Sequence, residues 1–479
     1  MSKFILGIDQ GTQSTKVTIF DTSGHKIVSH TEQLREIQLG ENGEALHPDD
    51  DLWTSLQLTC NRLFEKFEGN KDDIIGVGLL SIRCCRAVMK ENGELFSPVQ
   101  SWMDTRLSRP YEPKSDEIRY VTTTTGYLTH RLTGETKDTR SNYVGPWPID
   151  PETLEWYDNG KKFTTPKEML FELVDPSTVL GVVTEKAAEL TGIPAGTPVV
   201  STSNDKAVEG LGAGLLNDGT VLVSLGTYIT SMMFGDSYDS EPNNYFTNPG
   251  ATPGSWLYES NGIRRGMSTV TWIKDLLGSD ILKEADKRGI SPENYLNELA
   301  EDVPAGSEGL YTILHWLPRP SKPYERGIML GFNGKHKGPH MFRSILEGIA
   351  MTMKNNAQAM CDELGIDLNE IVVSGGGSKG DLFMEIFSDV FGVPAHRNEV
   401  NGAAGLGSAI CAALALDVYD TREEAIKNMV RHEDTFEPNL ENHEFYKEIN
   451  EKVYQHIPDH NEELLKRSNQ IINEEMVTV

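Results

Sequence analysis

Short runs of alternating and continuous apolar residues open the chain. FILGID and KVTIFD flank a polar stretch, QGTQST, and HKIVSH follows the turn DTSGH, so three strands in a meander are predicted first. LWTSLQLTCNRLFEKF then carries apolar residues at helical spacing behind Asp49, which predicts an acid-capped helix. IIGVGLLS is apolar throughout, as a strand covered on both faces would be, and AVMKENGELF reads as a hairpin turning at ENGE. From residue 219, GTVLVSLGTYITSMMF repeats the opening order of strand, Gly-Thr and strand, which predicts an internal duplication. A boundary near Gly214 gives two domains, 1–213 and 214–479. Later, MFRSILEGIAMTMKNNAQAM is a long amphipathic helix, EIVVSGGGSKGDLFMEIFSDVFG is strand, glycine turn and helix, and NGAAGLGSAICAALAL is a small-residue helix suited to close packing. Glu, Asn and Lys dominate after about 421 and predict solvated helices.

Composition narrows the classes. With 479 residues the chain exceeds what one hydrophobic core usually organises, and 38% hydrophobic with 24% charged residues is ordinary globular usage. A net charge of −28 excludes nucleic acid and anionic membrane as expected partners, because either polyanion meets repulsion over most of the surface. Runs such as AICAALAL are too short to span a bilayer, and the N-terminus lacks a basic-then-apolar leader, so a cytoplasmic protein is expected. The five cysteines are scattered without CxxC spacing, which predicts neither disulfides nor a zinc site. Vicinal Cys84 and Cys85 read as small packing residues at a strand edge.

Three polar stretches carry candidate chemistry. A turn holding Gly11 and Thr12 presents N–H groups and a hydroxyl to one spot, a cradle for phosphate oxygens. Asp9 beside it fits a magnesium shell and Lys16 adds positive charge; a plain polar hairpin fits the same residues. Gly226 and Thr227 repeat the turn in the second half, so two hairpins can grip a polyphosphate from opposite sides. In VVSGGGSKG, Gly375, Gly376 and Gly377 let a ligand approach the backbone, although a structural turn uses the same glycines. This is neither a Walker loop nor a dinucleotide fingerprint.

The order of elements resembles a ribonuclease-H-like domain, and the motifs GIDQGTQSTK, SNDKAVEGLGAG, VSLGTYIT, RGIMLGF, LEGIAMTM, VVSGGGSKGDLFMEIFSDVFGVP and GAAGLGSA resemble, in this order, the FGGY carbohydrate kinases. The resemblance runs from residue 4 to about 415. It implies an α/β fold of two ribonuclease-H-like domains of the actin and hexokinase superfamily, with ATP and a sugar meeting in the inter-domain cleft. The implied activity is ATP- and magnesium-dependent phosphorylation of a ketose, polyol or sugar acid. A catalytically inactive sugar- and ATP-binding regulator is the alternative, and a homodimer is one assembly open to such a protein.

The resemblance also implies roles. Asp205 is the general base, with an N-cap as its structural alternative. Asp9 binds magnesium through water. Gly11, Thr12, Gln13, Lys16, Gly226 and Thr227 hold phosphates, and Gly375, Gly376 and Gly377 line the adenosine pocket. Arg83, Trp102 and Asp104 face the acceptor; core packing of Trp102 and an Arg83–Asp104 ion pair are the alternatives. Two departures bear on specificity. Cys84 follows Arg83 where glycerol kinases carry an acid, and the Met-His-Gly of xylulokinases is missing. The segment after Arg106 is also shorter than in relatives, which predicts a more open acceptor site or one completed by a partner subunit.

Overall fold

The opening meander forms as its alternation requires. Phe4–Gln10 pairs antiparallel with Ser14–Asp21, placing Asp9 opposite Lys16, and Ser14–Asp21 pairs with Lys26–Gln33. Ile74–Ser81 lies parallel on the other side of the first strand, followed by Pro198–Ser201 and the edge strand Val179–Val182. These six strands are the first sheet of the protein, a computed structural model that describes residues 3–109, 111–145, 147–157, 165–216, 219–319 and 321–477.

A second sheet repeats the plan. Thr220–Leu225 and Ile229–Gly235 form its hairpin, extended by Trp256–Ser260 and Tyr245–Pro249 on one side. On the other side lie Glu370–Gly375, Ala395–Asn398 and His432–Phe436. The last of these corrects the expectation of helices alone after residue 421. Its sequence, HEDTF, is too polar to signal a strand, and only an edge position, paired on one side, accommodates it. The helices Arg422–Met429, Leu440–Lys452 and Ile457–Val477 surround it.

Two further expectations change. The hairpin Arg86–Met89 and Leu95–Gln100 turns as predicted but belongs to a separate five-stranded sheet with Tyr120–Thr122, Ala45–Leu46 and Gln38–Leu39. The helix Asp51–Phe64 has Asp50 at its N-cap position without a capping bond, because the Asp50 carboxylate is taken by Tyr127 and by Arg131 at 2.9 Å.

The small-residue helix Ala403–Ala415 explains how the two halves stay joined. It lies against the first sheet and the helix Asp205–Ala213, where a Cβ on Gly7 would stand 2.4 Å from the Gly405 carbonyl and one on Gly78 2.0 Å from that of Ser408. Only glycine permits this approach. Around the contact, Ile5, Phe20, Leu211, Leu222, Val372 and Leu406 form one apolar cluster drawing on both sheets. Among the described residues no helix is long and apolar enough to cross a membrane.

Candidate active site

The start of the helix Asp205–Ala213 decides the status of its acid. Asn204 occupies the N-cap, its side chain accepting from the Ala207 N–H at 3.0 Å. Asp205 is thus the first helical residue and is not needed as a cap. Its side chain keeps 40% of its surface exposed and meets Arg83 Nε at 3.2 Å.

Behind it, the same helix turns two charged groups into a half-buried knot. Lys206 Nζ donates to Glu209 at 2.9 Å and to Ser224 Oγ at 2.8 Å. Glu209 also accepts from Ser224 at 3.0 Å and from Ser374 at 3.0 Å. Ser224 and Ser374 lie opposite each other on the two central strands of the second sheet, so the knot ties the helix bearing Asp205 to the other half. Burial opposes both charges, but each outweighs it for the other: Lys206 titrates above its usual range and Glu209 below. Sequence reasoning missed this pair; its signal was two charges three residues apart in the run DKAVEGLGAG, otherwise small and apolar after Asp205.

Asp9 and Lys16 face each other across the first hairpin. Burial pushes the Asp9 carboxyl up to about 6; Lys16 opposes the shift, while Asp205 and Glu209 add to it. Lys16 is itself lowered by burial, with Asp9 acting in the opposite sense. A Cβ on Gly402 would lie 2.6 Å from Lys16 Nζ, so the loop before the small-residue helix makes room for the ammonium. At the hairpin tip Gly11 N donates to the Ser14 carbonyl at 2.9 Å, and a Cβ there would meet nothing nearer than 3.8 Å. Gln13 is exposed, with its carbonyl accepting from Leu34 N at 2.8 Å. The second tip is similarly open. Thr227 is exposed, and the carbonyls of Gly226 and Thr227 accept from the N–H groups of Met267 and Gly266 at 3.2 Å and 2.8 Å.

The triple glycine is a required turn and also a wall. Gly375 has φ of +96°, and a Cβ there would lie 2.4 Å from the Leu225 carbonyl. Gly376 faces open space. Together with Gly377, Met267, Val270, Asn297 and Phe342 it borders a cavity of about 240 Å³, apolar on its helical walls and edged by amides. Lys379 of the same loop exerts its charge on Lys16, which brings loop and first hairpin to one region.

Arg83 is gripped from both halves. Its Nη nitrogens donate to Glu259 at 3.2 and 3.3 Å while Nε meets Asp205. Burial works against the guanidinium charge, but Glu259 and Asp205 prevail and raise its pKa. Glu259, on the strand Trp256–Ser260, is buried and also accepts from Asn248 at 3.1 Å. It too went unnoticed, although an acid inside WLYES has no packing reason to be there. Trp102 is 52% exposed, which removes the core-packing alternative, and donates through Nε1 to Thr12 Oγ1 at 3.1 Å.

Asp104 is corrected. Its carboxylate is wholly buried and points inward, accepting from Arg106 Nε at 2.8 Å, Arg106 N at 3.0 Å and Ala45 N at 3.0 Å. Burial opposes its ionisation, yet these donors hold the carboxyl below its usual range. It pairs with Arg106, not Arg83, and has no face left for a ligand. In the segment after Arg106, residues 111–119 hold neither helix nor strand, and Trp102 and Met103 stand exposed. Cys85 is fully buried, burial pushing its thiol up, as a packing residue should be.

The Asp205 carboxylate thus lies within electrostatic reach of Asp9 on the first hairpin, with an open Gly-Thr tip in each half and a cavity beside the triple glycine. The sequence matches the FGGY family of carbohydrate kinases over its N-terminal domain at residues 4–112 and 107–212, and over its C-terminal domain at residues 221–416. An uncharacterized sugar kinase of Escherichia coli strain K12, YgcE, is 45% identical over 480 residues, covering 100% of this chain and 98% of its own. The autoinducer-2 kinase of the same strain is 31% identical, covering 94% of both chains. The solved xylulose kinase from Lactobacillus acidophilus shares the fold with a TM-score of 0.82 at 19% identity, over 96% of this chain and 98% of that one. Its motifs, its two matched domains and these relatives make the chain a member of the FGGY family, an ATP-using carbohydrate kinase built on the actin and hexokinase-like fold.

Proposed function

We propose that this kinase transfers the γ-phosphoryl group of ATP to a hydroxyl of a small ketose, polyol or sugar acid, with Asp205 as the general base. The observation that carries this reading is the exposure of Asp205: Asn204 is the N-cap, and although Asp205 Oδ1 accepts from the Lys206 N–H at 2.9 Å and meets Arg83, the side chain stays 40% exposed. Asp205 accepts the acceptor's hydroxyl proton as that oxygen bonds to the γ-phosphorus and the bond to ADP breaks. Arg83 Nε orients the carboxylate, and Trp102 offers a ring for the carbon face of a sugar.

The hairpin tips at Gly11–Thr12 and Gly226–Thr227 receive phosphate oxygens, with Lys16 supplying charge. Gln13 flanks the first tip, and the cavity beside Gly375, Gly376 and Gly377 takes the adenine. Magnesium brought with the nucleotide would neutralise charge on the phosphates. Asp9 fits it, because a cation there relieves the burial and the repulsion from Asp205 and Glu209 that push its carboxyl up. The two domains are residues 1–213 and 214–479, and their closure excludes water, so that ATP is not simply hydrolysed.

The test is ADP release with magnesium and ATP across pentuloses, hexuloses, alditols, aldonates and glycerol, beside Asp205→Asn. Turnover on one acceptor class, falling about 10²- to 10⁴-fold in the variant with ATP binding retained, is expected. Full activity in Asp205→Asn overturns the assignment of the base.

A further inference from the structure

We infer that Glu259 is a specificity-determining residue that, by occupying Arg83 from across the cleft, restricts the acceptor to an uncharged polyhydroxy compound and rejects sugar acids. This rests on the kinase reading of the same cleft and deepens it. Arg83 follows the strand Ile74–Ser81 of the first sheet, whereas Glu259 belongs to the second sheet. A bare guanidinium beside the base would be an obvious seat for an acceptor's carboxylate, since its planar fork matches that group. Here the fork is already filled. Both Nη nitrogens bind Glu259 within 3.3 Å and Nε binds Asp205, so one cation faces two carboxylates.

The surplus at this floor is negative. The charge of Lys206 also acts on Asp205 and Glu259, but its partner Glu209 cancels it, so that Arg83 and Lys206 face Asp205, Glu209 and Glu259; Lys16 lies across the hairpin from Asp9. An acceptor carboxylate would have to displace Glu259, which is buried and fixed further by Asn248 at 3.1 Å. A hydroxyl, in contrast, can accept from a remaining guanidinium N–H and donate to Asp205 without meeting like charge.

Acceptor binding by calorimetry and phosphorylation by ADP release should be measured in parallel for alditols or ketoses and for aldonates of equal chain length. The wild type is expected to favour neutral acceptors at least tenfold in both readouts. In Glu259→Gln, which keeps the shape but removes the charge, that ratio should narrow at least tenfold, while Glu259→Asp keeps most of it. A merely structural role would weaken both classes alike and leave the ratio unchanged. An aldonate preference in the wild type, an unchanged ratio in a folded Glu259→Gln, or binding of neither class overturns the inference. The wild-type ratio is decisive even where the variant does not fold. Selective binding of neutral acceptors without any ADP release would support the selection by Glu259 and defeat the kinase reading instead.

Discussion

Replacing Asp9 by Asn should stabilise the protein while impairing it. The Asp9 carboxyl is pushed from 3.8 to about 6 in the folded chain, first by burial and then by Asp205 and Glu209, with the attraction of Lys16 already acting against the shift. Two units at about 1.36 kcal/mol each make the ionised carboxylate a cost of about 3 kcal/mol to the fold at neutral pH. Because the folded pKa lies above the unfolded one, the folded state holds the extra proton between 3.8 and about 6, and stability falls as pH rises through that window. Asn mimics the protonated carboxyl at every pH. Denaturant unfolding should therefore give nearly equal stabilities for wild type and Asp9→Asn below pH 4. The gap in the variant's favour should open through pH 4 to 6 and level at about 3 kcal/mol above it. Magnesium with ATP should close the gap by stabilising only the wild type, and the variant should lose most of its turnover. A gap independent of pH, or a variant less stable at pH 7.5, would refute the argument that this acid is held under electrostatic strain for a cation.

Three other perturbations follow from the same geometry. Glu209→Gln leaves the half-buried Lys206 with Ser224 but without its partner carboxylate and should cost about 3 kcal/mol or less in denaturant unfolding, with loss of alignment at Asp205 read as a lower kcat. Gly375→Ala places a side chain at a φ of +96° and 2.4 Å from the Leu225 carbonyl; it should lower the Tm by several degrees and weaken ATP binding measured by calorimetry. Trp102→Ala, at an exposed position, should change stability by no more than about 0.5 kcal/mol yet raise the acceptor KM, and raise it more than the KM for ATP, which the lost hydrogen bond to Thr12 reaches only indirectly.

Both Gly-Thr hairpins, the glycine turn and the close-packing helix were legible because each is written within one contiguous stretch. The place of Asp205, at the start of a helix just past the buried strand Pro198–Ser201, was legible for the same reason. What the sequence concealed is pairing at a distance. Lys206 and Glu209 become a knot only when Ser224 and Ser374 arrive from the second sheet, and Glu259 reaches Arg83 across 176 positions of chain. Asp104 misled for a local reason, since the Arg106 that claims it sits two residues on and only the turn Thr105–Ser108 shows it folding back. His432–Phe436 was hidden by composition, because an edge strand need not bury either face.

Under the proposed function, the protein moves a phosphoryl group onto a sugar hydroxyl under the control of Asp205. Its most direct test follows the label from γ-³²P ATP with the best acceptor, in wild type and in Asp205→Asn. One labelled acceptor per ADP is expected in the wild type with little labelled inorganic phosphate, and near-complete loss of labelled acceptor in the variant. Label released as inorganic phosphate at the same rate with and without acceptor would contradict it.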